Sequence, residues 1–213
     1  MLKPSLELML RVRQAFLDYG YSGLNMVTLA RVCGFTRRSL YNYFNSKESA
    51  FRGSIAYDNA LFVRNGMAAG EEIRREGGSA LDIFSHIMDV RYGFTRRIVN
   101  QSPHILELNA EAFKLCRDIM IATAIEFQGE LERLILELAR DGLLRLNGRF
   151  SAREIAQMLA DGGRAVNQAL PPPTSEELTG RYRQLCEAIL YGCASLPEEA
   201  ARQPARKRTA KAG

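Results

Sequence analysis

The chain has 213 residues, 46% hydrophobic and 25% charged, with a formal net charge of +5. That balance excludes a disordered or fibrous chain and leaves enough apolar material for one substantial core or two modest ones. No stretch reaches ~18 uninterrupted apolar residues, and the amino terminus lacks the basic start, apolar run and small-residue cleavage site of a secretory signal. A cytoplasmic protein with no membrane partner is expected.

Four cysteines, at 33, 116, 186 and 193, form no CxxC pair, and only His86 and His104 could join them. Zinc spacing is therefore missing, and reduced, mostly buried thiols are expected, with no metal and no cofactor. The charge is unevenly spread. Residues 1–56 carry a net +5, residues 57–200 a net −5, and the tail 201–213 a net +5. A basic head on a mildly acidic body suits a polyanion-binding module joined to a body with another task. A basic surface that merely aids solubility is the plainer alternative.

Helical periodicity dominates and strand-like alternation is nowhere convincing, so the fold class is all-α. The first helix is expected over 3–19, with Met9, Val12, Phe16 and Tyr19 on one face and Gly20 as its stop. Thr28 is expected to cap a short helix to about Cys33, and Gly34 marks a turn. Thr36 caps a third helix, from Arg37 to Tyr43 or Phe44, and Ser46 a fourth. Two short helices joined by a glycine turn and braced by a longer helix are the helix-turn-helix layout. Longer helices follow over about 47–75, 79–100, 104–141 with a possible break near Gly129, 152–169, and 176–195. The composition then shifts to Ala, Arg, Lys and Pro, which predicts a disordered basic tail over 198–213. The domains are thus a head at 1–50, a helical body at 51–197, and the tail.

The segment GFTRRSLYNYFNSKES, Gly34 to Ser49, carries the chemistry. At 100° per residue, Leu40 and Phe44 fall on one side, Arg38 and Asn42 nearly opposite, and Tyr41 on the flank. The first pair can anchor the helix to its neighbours while the second faces a major groove. There arginine can donate twice to guanine, asparagine can pair with adenine, and tyrosine hydroxyls and lysine can grip phosphates. The bland alternative is an amphipathic helix with a basic solvent face.

These residues bring a family into view. Residues 8–55 resemble the amino-terminal module of the tetracycline-repressor (TetR) family of bacterial transcription regulators. The likeness rests on Tyr19-Gly20-Tyr21, Thr28 with Leu29-Ala30, Gly34, and Leu40-Tyr41-x-x-Phe44 followed by Ser46-Lys47-Glu48. It implies a third helix that reads bases through Arg37, Arg38 and Asn42, and phosphate contacts from Thr28, Thr36, Tyr41, Tyr43 and Lys47. The helical wheel alone does not select Tyr43, which lies nearer the inward side. Ser39 stands where a small residue follows a glycine in many relatives, and Phe35 is bulkier than the common valine.

The same resemblance implies a homodimer, a double-stranded DNA operator that is roughly palindromic, and a small-molecule effector held in the body. The dimer helices are then 152–169 and 176–195, with Leu159, Gly163, Val166, Leu178, Tyr182, Leu185 and Ile189 as interface candidates. Packing of these stripes on their own subunit's core is the alternative. Pocket candidates are His86, Tyr92, His104, Asn109, Phe113, Cys116 and Met120, on the middle helices. Phe94 and Ile98 belong to an expected core stripe. A nonspecific architectural DNA binder would keep the basic head without pocket or palindrome. A helical-bundle enzyme lacks its motifs: there is no Glu-x-x-His pair, HExxH, GxSxG or GxxxxGK[ST].

Overall fold

A computed structural model describes residues 1–93, 96–97 and 102–192. The described residues are helical, with no strand among them, as the periodicity predicts. The helices are α1 (Leu6–Tyr19), α2 (Met26–Val32), α3 (Arg37–Tyr41), α4 (Lys47–Arg75), α5 (Ala80–Met88), α6 (Ile105–Leu115), α7 (Arg117–Arg140), α8 (Ala152–Asn167) and α9 (Ser175–Tyr191). Phe94, Ile98 and the tail expected at 198–213 lie outside the described residues. None of the described helices is long and apolar enough to cross a membrane.

Local chemistry sets most boundaries. Ser5 caps α1 by accepting from the Leu8 amide, so the helix opens after Pro4 rather than at Lys3. The cap of α2 lies three residues before the expected one: Asn25 accepts from the amides of Val27 and Thr28, which puts Thr28 inside the first turn. An Asx side chain reaches two donors at once, which threonine cannot do from a position already helical. Thr36 caps α3 through the Ser39 amide at 3.1 Å, and Ser46, Ser79, Ser151 and Thr174 each close a reciprocal capping box. These satisfy amides that helix geometry leaves without partners.

Two apolar cores result. The first gathers Leu8, Met9, Val12, Phe16, Leu29, Leu40, Phe44 and Phe51 beneath α1–α3 and the start of α4. Tyr19, expected on the buried face of α1, is 44% exposed. The second gathers Ile83, Phe84, Ile87, Phe127, Leu131, Ile135, Leu159 and Tyr182 between α5, α7, α8 and α9. Leu108 and Cys116, far along the chain, complete the first core. That explains where the long helix expected over 104–141 divides. The break is at Cys116, whose backbone leaves the helical region at φ −124°, ψ 19° as its side chain is buried in the head's core. Gly129 lies inside α7 without interrupting it. The chain beyond α5 does not continue as a plain α-helix either, because Asp89–Gly93 form a wider π-helical turn.

Candidate nucleic-acid interface and effector cavity

The head presents α3 on a closed platform. Leu40 is fully buried and Phe44 nearly so, while Thr36, Arg37, Arg38, Tyr41 and Asn42 are exposed. The helix itself ends at Tyr41, with Asn42 as its carboxy-terminal cap. Bonds from the Tyr43 and Phe44 amides to the Leu40 carbonyl, each 3.0 Å, carry one more turn, so Asn42 still points away from the anchor pair. Arg37 lies over the Tyr41 ring, 5.5 Å from its centroid, a cation–π contact that orders both tips.

The expected phosphate contacts are less uniform. The Thr36 hydroxyl oxygen is engaged as the cap, which leaves its hydrogen to donate outward. Thr28 is half-buried in the first turn of α2. Tyr43 is half-buried against the head core, edge-to-face with Phe35 at 6.0 Å, in line with the inward angle of the wheel. Lys47 donates to the Tyr21 carbonyl at 2.9 Å and sits 4.0 Å from that ring's centroid, so its ammonium braces the α1–α2 turn.

One residue of this platform escaped sequence reasoning. Arg11 on α1 donates from Nη1 to the Cys33 carbonyl at 3.0 Å and from Nη2 to Glu7 at 2.6 Å. It thereby holds the end of α2 just where Gly34 takes the left-handed conformation, φ +75°, that the turn requires. Only the Glu7–Arg11 spacing was visible in the sequence, and that reads as an ordinary surface pair.

Between head and body lies a cavity of about 570 Å³, bounded by α1, α4, the π turn, α6, α7 and α8. Phe16, Phe51, Phe62, Leu108, Ile121, Ile125 and Phe127 supply apolar wall. Of the seven predicted pocket residues, Tyr92, Asn109, Phe113 and Met120 line it. Three do not. His86 is exposed on α5, His104 precedes α6 beside Glu107, and Cys116 is buried in the head's core. The periodicity of α5 gives the physical reason for His86, because Ile83 and Ile87 take the inward positions on either side of it.

The charged wall was not foreseen. Arg13, Arg91, Arg96, Arg117 and Arg164 line the cavity against only Asp58 and Asp161. Arg91 is 8% exposed, and burial holds its guanidinium below its ordinary range. Its carbon stands 4.8 Å from the centroid of Tyr92 and 5.7 Å from that of Phe127, and it donates to Asn59 at 3.3 Å. Arg13 pairs with Asp58 at 3.2 Å, and burial raises the Asp58 carboxyl despite that partner. Arg96 donates to the Asn167 carbonyl, and Arg164 meets Asp161 at 3.7 Å. No periodic signal marks a charged residue that turns inward, because the pattern assigns charge to solvent.

The dimer candidates also divide. Leu159, Leu178 and Tyr182 are fully buried in their own subunit. Gly163 is buried too, and a Cβ there would come 2.7 Å from the Tyr92 ring and 3.0 Å from the Met88 sulfur. These four hold the body's core together. Val166, Leu185 and Ile189 are half-buried at its surface.

Comparison with known proteins bears on both sites. Residues 13–52 match the family described as bacterial regulatory proteins, tetR family. No curated protein matches the chain. Among solved structures, the chain is similar to the fatty acid degradation regulator FadR from Bacillus halodurans, with a TM-score of 0.66 and 18% identity over 90% of this chain and 98% of that one. FadR from Bacillus subtilis, solved in complex with stearoyl-CoA, gives a TM-score of 0.65 and 16% identity over 89% and 99% of the two chains. AibR, solved with isovaleryl coenzyme A and operator DNA, gives 0.56 and 17% over 87% and 96%.

Proposed function

From the tetR-family head at residues 13–52, we infer that this protein is a sequence-specific DNA-binding transcription regulator whose grip on DNA is set by a small molecule in the body. The observation that carries the reading is the sorting of α3. Leu40 and Phe44 lock it to a closed core while Arg37, Arg38 and Asn42 stand free at the surface. A helix so presented fits a major groove, where arginine and asparagine discriminate bases. Tyr41 and Thr36 grip the flanking phosphates, with Thr28, Tyr43 and Lys47 at the edge of that contact.

Head and body, residues 1–50 and 51–197, divide the work of reading DNA and sensing. The large cavity touches α1 of the head directly, which supports an effector that acts on the head's position. FadR from Bacillus subtilis was solved with stearoyl-CoA and AibR with isovaleryl coenzyme A and operator DNA, and an acyl-type effector is the reading carried to this chain. A homodimer through α8 and α9 would place two α3 helices on one face of a roughly palindromic operator. Because four predicted interface residues are internal, the pairing face is better drawn from Leu185, Ile189 and the exposed residues beside them. In this arrangement the unliganded dimer represses, and effector binding releases it.

Selection of DNA from a random pool by the full chain tests the reading. Recovery of a two-fold related sequence, bound ~10³-fold or more above random DNA, is the expected outcome. A ratio near one would favour a nonspecific architectural protein instead.

A further inference from the structure

The Arg13–Asp58 pair joins the DNA-reading head to the sensing body from inside the cavity. Arg13 stands on α1 and Asp58 on α4, their side chains 22% and 18% exposed and 3.2 Å apart. Both line the cavity. Desolvation offsets much of the attraction in so shielded a pair, but breaking it leaves a buried charge unpaired, and so it fixes the relation between its two helices.

Two further facts concern what the cavity is built to take. Its lining carries five arginines against two aspartates, beside a continuous phenylalanine and isoleucine wall. Arg13 Nε, Arg96 Nε and Asn167 Oδ1 are buried and make no hydrogen bond, although each belongs to a cavity-lining residue. Buried polar atoms without a partner are rare in folded proteins. The surplus of arginines suits an anion, and the aromatic wall suits a hydrocarbon chain.

We propose that the effector is an amphipathic acyl anion and that Arg13 senses it: the anionic head takes the guanidinium from Asp58 and so opens the α1–α4 contact. The proposal rests on the regulator reading with its acyl-type effector and adds to it the charge of the ligand's head and a coupling residue. Asp58 holds Arg13 through Nη1, so a ligand head that takes this donor competes with Asp58. Burial raises the Asp58 carboxyl despite Arg13, so the pair does not fully offset the desolvation of its own acid. The ligand's head has no tether to α4, so every exchange costs the head one of its links to the body. By linkage, the arrangement that binds DNA and the arrangement that binds the anion disfavour each other by the same factor.

Calorimetry on the full chain tests this with three probes that share a chain length: dodecanoate, dodecanoyl-coenzyme A and the neutral dodecanol. One anion or both should bind at least about tenfold more tightly than the alcohol, and the tighter of the two identifies the head as carboxylate or phosphorylated thioester. Asp58→Asn should then tighten that anion about tenfold and Arg13→Gln weaken it about tenfold, with dodecanol moved by less than about twofold in either. Dodecanol binding also reports that each variant is folded. The proposal is overturned if neither anion outbinds the alcohol, or if the substitutions shift anion and alcohol alike. Wild-type release of the selected DNA by dodecanoate, matched by both variants, overturns the sensor while leaving the regulator standing. Failure to select any DNA sinks the regulator reading and leaves the ligand measurements to stand or fall alone.

Discussion

Arg11 donates to the backbone carbonyl of Cys33 across twenty-two positions of sequence, at 3.0 Å, and so ties the support helix α1 to the turn that launches α3. A charged donor on an otherwise spare carbonyl is worth ~1.5–3 kcal/mol where it is shielded from water. This one is partly exposed, so a value below that range applies. Arg11→Met should cost roughly 1 kcal/mol in urea denaturation. It should also weaken binding to all DNA sequences by a similar factor, because it loosens the platform without touching a base. A change in base preference would mean that Arg11 itself reaches the groove.

The exposed tips of α3 should behave differently from their neighbours. Arg38→Ala and Asn42→Ala are each expected to relax selection at one position per half-site and to cost ~1–3 kcal/mol on the preferred sequence. Tyr41→Phe should weaken preferred and random DNA alike. Binding titrations across single-base variants of the selected site separate the two behaviours, and an Arg38 variant with unaltered preference would show that α3 is turned otherwise in the groove.

Gly163 and Ala188 separate core from interface. Alanine at 163 would drive its Cβ against the Tyr92 ring and the Met88 sulfur, and overpacking of that kind costs ~1–3 kcal/mol. Gly163→Ala should therefore lower stability without changing the mass seen by sedimentation. Ala188 is exposed on α9, beside Leu185 and Ile189. Ala188→Arg should leave the monomer's stability within ~0.5 kcal/mol and split the proposed dimer. An unchanged mass for Ala188→Arg would put the pairing face elsewhere.

Acid should expose the first capping box of the body. The Asp82 carboxyl is pulled down to about 2 by the Ser79 hydroxyl, then by Arg183 and the Ser79 amide. An unfolded aspartate titrates near ~3.9, so this stabilisation is complete above that value and is lost as pH falls through it toward 2. The urea midpoint of the wild type should exceed that of Asp82→Asn at about pH 5, and the gap should close by about pH 2. A gap that stays constant would mean that the Ser79 and Arg183 bonds do not depend on charge.

The buried thiols should resist labelling. Burial pushes Cys33 and Cys116 up to about 11 and Cys186 to about 12, so little thiolate exists near neutral pH. In a Cys193→Ser background, reaction with a disulfide reagent at about pH 8 should wait on unfolding and accelerate with urea in step with loss of helix. Prompt reaction of one thiol would locate a locally opening segment. Cys116, at the junction of α6 and α7, is the informative case.

How much of this was legible in the sequence differs from residue to residue. Leu40 and Phe44 against Arg38 and Asn42 could be sorted by angle alone, because a helix's period is fixed and hydrophobicity declares the inward side. The caps at Thr36 and Ser46 were readable for the same reason: a hydroxyl three residues ahead of a free amide is a local event. The all-α class and the length of α4 followed from these local rules.

What lay beyond them was decided by contacts distant in sequence. Leu159 and Tyr182 read as dimer surface, with core as the alternative, since burial by one's own chain and by a partner look identical in a pattern, and the packing of α5 beneath them put them in the core. Cys116 breaks a helix that local propensity would have continued, because the head's core needed a lid. Asp58 and the cavity arginines read as solvent charges until α1, α4, α8 and the π turn converged on one space. The sequence by itself determined the exposed face of α3, a periodic object. Only the tertiary structure brought Arg13 to Asp58, because a buried charge is stabilised by a partner that no local rule can name.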